Sequence, residues 1–147
     1  MNNAISNRPV QVISNDYAGN NDVLAHARSS GFAVALLDGK TITSTRELLA
    51  QLADQLRFPE YFGYNWDALY DCLSDLAWEP GAKIIIYVES ARDLYAVLPL
   101  DVLELTSIVV DVSMNNPDNI QSLFLMLVDT HLAQCLSKLL SQTDVFC

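Results

Sequence analysis

Hydrophobic positions along this chain fall into two rhythms, and their alternation predicts the fold. Continuous apolar runs of strand length occur at "FAVALLDGKTI" (32–42), which ends in the turn signal Asp38-Gly39, at "KIIIYVE" (83–89) and at "LFLMLVD" (123–129). "RPVQVIS" (8–14) alternates weakly and reads as a short strand. Between these runs the period lengthens to that of a helix. "NDVLAHARSSG" (21–31) gives a brief helix with Gly31 as its stop. Ser44 and Glu47 stand in capping-box spacing ahead of Leu48, Leu52 and Leu56, with Leu49 and Ala53 beside them and Pro59 as the terminator. Pro80-Gly81 marks a turn, and "SARDLYAVL" (90–98) places Ser90 and Asp93 to cap a short helix. "LDVLELTSIVVDVSMNNP" (100–117) carries two signals. Its β-branched content favours strand, whereas Val102, Leu105, Val109 and Val112 keep helical spacing before the stop at Asn115-Asn116-Pro117, and we assign helix. "THLAQCLSKLLSQ" (130–142) closes the pattern as an amphipathic helix, with Leu132, Leu136, Leu139 and Leu140 on its apolar side. Apolar strands separated by helices predict an α/β layered architecture with mostly parallel strands.

Composition narrows this picture. At 147 residues, without repeats, low-complexity tracts or linker-like stretches, the chain reads as a single domain over 1–147. With 51% hydrophobic and 18% charged residues it belongs with globular rather than disordered chains. Eight basic residues stand against eighteen acidic ones, a formal net charge of −10. That balance argues against direct nucleic-acid binding or an anionic membrane surface. It is compatible with a basic partner, although on net charge alone simple solubility is the plainer reading. The first residues lack a charged start followed by an apolar run, and no apolar stretch reaches the ~18 residues of a membrane span. Cys72, Cys135 and Cys147 form neither an even framework nor a CxxC pair, so reduced thiols and a cytoplasmic location are expected. His26 and His131 complete no metal site with them, and neither a metal nor a cofactor is expected.

Candidate chemistry concentrates in "FPEYFGYNWDALYDCLSDL" (58–76). Asn65 is a good N-cap for a helix from Trp66 to Leu76. At about 100° per residue, Leu69, Cys72, Leu73 and Leu76 share one side, while Asp67, Tyr70, Asp71, Ser74 and Asp75 share the other. Asp67 is favoured by the helix dipole, but each like-charge pair at this spacing costs roughly 0.2–0.5 kcal/mol. So small a cost is compatible with a merely solvated face. Tyr61, Phe62, Tyr64, Trp66 and Tyr70 crowd the same stretch and cannot all face the core, Trp66 lying nearest the apolar side. Carboxylates edged by flat aromatics suit recognition of arginine and lysine.

Catalytic readings are weaker. Asp67 and Asp71 on adjacent turns of one helix lack the sugar-sized gap of a glycosidase pair. The chain holds no GxSxG, P-loop, GxGxxG or HExxH motif, and no catalytic residue is assigned. Cys72 has no nearby histidine and reads as a structural thiol. Calcium on the aspartates is disfavoured, because calcium sites draw ligands from several directions.

"PEYFGYNWDALYDCLSDL" resembles, without a gap, the signature of the barstar family, intracellular protein inhibitors of the ribonuclease barnase. The order of elements fits over 33–129, where "LDGKTI", "STRELLAQLADQL", "KIIIYVES" and "LFLMLVD" follow the family's strands and first helix. Residues 1–32 and the helix at 130–147 lie outside the resemblance. It implies a three-layer domain with a small, mostly parallel three-stranded sheet flanked by helices, with room for one extra N-terminal strand. It also implies an intracellular inhibitor of immunity or antitoxin type. Its partner would be a basic secreted or toxin ribonuclease, whose active site the acidic helix and preceding loop block by mimicking RNA phosphates. Carried over by position, Asp71 matches the family's dominant aspartate and Asp67 a second contacting one. Tyr61 matches the aromatic of the preceding loop, while Asn65 and Gly63 match residues that shape or contact the interface. Tyr70 stands where barstar has tryptophan, and Trp66 where it has leucine. For a further acidic contact of the family, Asp101 is the nearest candidate. The alternative is an acidic interaction module on the same fold with a non-nuclease partner.

Overall fold

The computed structural model describes residues 9–13, 22–77, 83–115 and 122–129. Within them the chain runs β1 (Val10–Ile13), α1 (Asp22–Ser29), β2 (Ala33–Asp38), α2 (Thr45–Leu56), α3 (Trp66–Ala77), β3 (Lys83–Glu89), α4 (Ala91–Val97), α5 (Pro99–Asn115) and β4 (Ser122–Val128). The strands form one four-stranded sheet of order β1-β4-β3-β2, parallel at every pairing. The weakly alternating segment near the N-terminus is thus a fourth strand at the sheet edge. The ambiguous segment 100–117 is the helix α5, and Val102, Leu105, Val109 and Val112 are all buried on it. The expected turn at Pro80-Gly81 and helix at 130–142 lie outside the described residues.

Continuous apolar strands are required here because both faces of the sheet are covered. On one face, Ala35 and Leu37 of β2, Ile84, Ile86 and Val88 of β3, and Leu123, Leu125 and Leu127 of β4 meet the apolar sides of α2, α3, α4 and α5. The alternate residues Ile85, Tyr87, Phe124, Met126 and Val128 form a second cluster with Ile13 and with Ala27 of α1. Burial pushes the Tyr87 hydroxyl above its ordinary pKa, with the nearby charge of Glu89 adding to the effect.

Local chemistry sets where the helices start and stop. Ser44 Oγ accepts from the Glu47 amide at 3.1 Å, so the serine half of the capping box forms. The glutamate half differs: Glu47 Oε1 accepts from the Thr43 amide at 2.9 Å and the Thr43 hydroxyl at 2.6 Å, one residue ahead of the cap. Pro59 does not end α2. The helix stops earlier, where Arg57 turns left-handed (φ 58°) and the Phe58 amide reaches back to Ala53 O at 2.9 Å. Ser90 makes no side-chain cap; it is itself left-handed, and its carbonyl accepts from the Asp93 amide at 3.0 Å. Gly39 packs so closely against the Ser90 carbonyl that a Cβ there would collide with it.

β2 lies at an edge, where unpaired backbone groups invite a foreign strand. Gln55 of α2 covers them: its Oε1 accepts from the Leu36 amide and its Nε2 donates to the Leu36 carbonyl, both at 2.6 Å.

Candidate docking surface

α3 carries the acidic face, and its capping follows the sequence. Asn65 Oδ1 accepts from the Ala68 amide at 2.8 Å, while its Nδ2 donates to Gly63 O at 3.3 Å. One side chain thus joins the loop to the first turn of α3. Leu69, Cys72 and Leu73 are buried, which holds the helix to the sheet. Burial pushes the Cys72 thiol above its ordinary pKa, and the charges of Asp75 and Asp71 push the same way.

Asp67 and Asp71 are exposed on consecutive turns. Among the described residues neither accepts a hydrogen bond nor meets a cation in an ion pair. Asp75 is exposed one turn further along the same side and does have an intramolecular interaction. The solvent face is narrower than the angular reading implied. Tyr70 is half-buried against the core, and its hydroxyl accepts from Asn115 Nδ2 at 2.8 Å, tying α3 to the end of α5. Ser74 is likewise only partly exposed. Trp66 is half-buried at the core's margin rather than inside it.

The loop before α3 sorts its aromatics by depth. Phe62 is buried and packs between Phe58 and Tyr64, with ring centroids 5.0 Å apart on each side. Tyr61, its neighbour, points the other way and is 80% exposed. Gly63 is open, and a Cβ there would press on Asn65 Nδ2 at 3.1 Å. Tyr64 adopts a left-handed backbone (φ 52°), which costs a non-glycine residue about 1–2 kcal/mol. The guanidinium of Arg46 lies over its ring, 4.6 Å from the centroid.

Asp71, Asp67, Tyr61, Tyr70, Asn65 and Gly63 therefore all belong to one loop and the helix it enters. Asp101 is placed differently. Its Oδ2 accepts from Thr45 Oγ1 at 2.6 Å in a part-buried bond that ties the first turns of α2 and α5 together. Asn115, at the Tyr70 end of α5, lies about 21 Å further along that helix at 1.5 Å per residue. The sequence reading missed Asn115 and Arg46 as partners of this segment. No local signal marks them, since only tertiary packing brings them to this surface.

Parallel strands between helices, with the exposed carboxylates of α3 edged by tyrosines, make this a small α/β protein with an acidic surface on one helix. Among the described residues no cluster of histidine, cysteine or carboxylate groups fits a metal ion. None of the described helices is long and apolar enough to cross a membrane. A family model described as "Barstar (barnase inhibitor)" matches residues 32–127. The chain belongs to the barstar family. It is also 33% identical over 69 residues, covering 47% of this chain and 76% of the relative, to a Bacillus subtilis (strain 168) protein named "Putative ribonuclease inhibitor YrdF".

Proposed function

We propose that this protein inhibits a basic ribonuclease by seating α3 and the loop before it in the enzyme's cationic active site. The observation that carries this reading is the pair Asp67 and Asp71, exposed on consecutive turns with no intramolecular partner among the described residues. Their carboxylates stand in for RNA phosphates. Tyr61 and Tyr70 pack beside them, and Gly63 and Asn65 shape the approach. Asp101, held by Thr45 next to Arg46 at the start of α2, is a further acidic candidate for contact with the partner. The inhibitor performs no chemistry: it excludes substrate sterically and matches the charge of the cleft. Such a role suits a cytoplasmic immunity protein guarding against a secreted or toxin nuclease.

The test is inhibition of RNA cleavage by a basic ribonuclease, barnase first, titrated with wild type and with Asp71→Ala. Inhibition that weakens more than tenfold in a variant with native circular dichroism supports the site. Unchanged affinity would sink the assignment of Asp71.

A further inference from the structure

Tyr64 is one of three non-glycine residues with positive φ among the described residues, and the one of them that lies within residues 61–65. Bulky side chains adopt this conformation only where surrounding contacts hold them. Two contacts do so here. The Phe62 ring packs 5.0 Å from Tyr64, and Phe62 is itself anchored in the core. From the other side Arg46, on the first turn of α2, places its guanidinium 4.6 Å from the ring centroid. Among the described residues this cation pairs with no carboxylate, although Glu47 adjoins it in sequence. The ring is its partner.

The conformation of Tyr64 sets the path of the chain into α3. The left-handed step turns the backbone so that Asn65 Nδ2 reaches back to Gly63 O and its Oδ1 caps the Ala68 amide. If Tyr64 relaxes to an extended backbone, the cap loosens, and Tyr61 and the start of α3 lose their fixed relation. We propose that Arg46 and Tyr64 are a positioning pair, which holds residues 61–65 in docking shape before any partner arrives. This inference rests on the docking reading for the purpose of that order, but not for the order itself. Loops ordered in advance avoid the entropy cost of ordering at the moment of binding.

Two variants, Arg46→Ala and Tyr64→Gly, test the pair through backbone 15N order parameters of the intact chain. The expected result is a fall for residues 61–65 from about 0.85 to below about 0.6, with α2 and β3 unchanged. Arg46→Lys, which keeps the charge but loses the flat stacking group, should recover part of the order. Tyr64→Gly separates positioning from bulk stability. Glycine adopts positive φ without strain, so its melting temperature should hold or rise while the loop loosens. A lowered melting temperature with the loop still ordered would overturn the proposal, as would unchanged order in both variants.

Barnase is the binding probe. If wild type inhibits it, both variants should lose about tenfold in affinity; loosened loops with unchanged affinity would overturn the pair's role. If wild type does not inhibit barnase, the ribonuclease reading fails for that enzyme, and the order parameters still decide whether Arg46 and Tyr64 fix the loop.

Discussion

At the start of α2, acidic groups are met from within the molecule. Glu47 takes two hydrogen bonds from Thr43, and Asp101 takes the hydroxyl of Thr45. At the start of α3, Asp67 and Asp71 take none among the described residues, and two further carboxylates, Glu60 and Asp75, stand exposed along the same segment. Both helices are held to the sheet by leucines of similar burial, so core packing does not explain the difference. What separates them is whether the local sequence supplies donors. "TITSTRE" sets threonines and a serine around its glutamate, whereas "YNWDALYDC" surrounds its aspartates with apolar and aromatic groups. Charge that the fold leaves unanswered is available to a partner, and charge that it answers stabilises the fold.

The largest effect that would sharpen this contrast lies under the acidic face. Leu73→Ala removes a fully buried side chain and should cost about 2–5 kcal/mol in urea unfolding. Asp71→Ala, on the solvent side of the same helix, should leave that midpoint nearly unchanged while costing about 2–5 kcal/mol of binding to the inhibited nuclease. If Asp71→Ala destabilises the fold instead, the two helix starts are alike and the comparison breaks. The association rate of the wild-type complex should fall steeply as salt is raised, measured by stopped-flow fluorescence, because long-range attraction is screened.

Ser44→Ala should cost about 1 kcal/mol of stability, since the Glu47 amide loses its cap, and should leave inhibition untouched. The smallest effect is one of pH. Hydrogen bonds from Thr43, then from Ser44, hold the Glu47 carboxyl below its ordinary pKa, although desolvation opposes them. A depressed folded-state pKa gives stability that is full above the unfolded value and is lost as pH falls through the folded one. Comparing Glu47→Gln with wild type by urea unfolding should therefore show a wild-type advantage at neutral pH that disappears in acid. An advantage that grows in acid would reverse the sign and remove Glu47 from the cap.

Much of the fold is legible in the sequence. Periodicity placed the strands 83–89 and 123–129 and the helix from Trp66, because burial on both sheet faces or on one helix side imposes its own spacing. Helical spacing outweighed β-branching in α5 because Val102, Leu105, Val109 and Val112 all point to one core. Capping at Ser90 failed because that residue turns left-handed where β3 passes into α4.

The sequence by itself determined the alternation of elements, the two-sided character of α3 and the placing of Asp67 and Asp71 on its solvent side. These follow from covalent order and helical geometry alone. Only the tertiary structure decided that Tyr70 is anchored by Asn115, that Asp101 serves Thr45, and that Arg46 lies over Tyr64. Each of those pairs joins parts of the chain that are distant in sequence, by 45 residues for the first and 56 for the second. Nothing in local spacing encodes such a meeting; the packing of α2, α3 and α5 on one face of the sheet creates it.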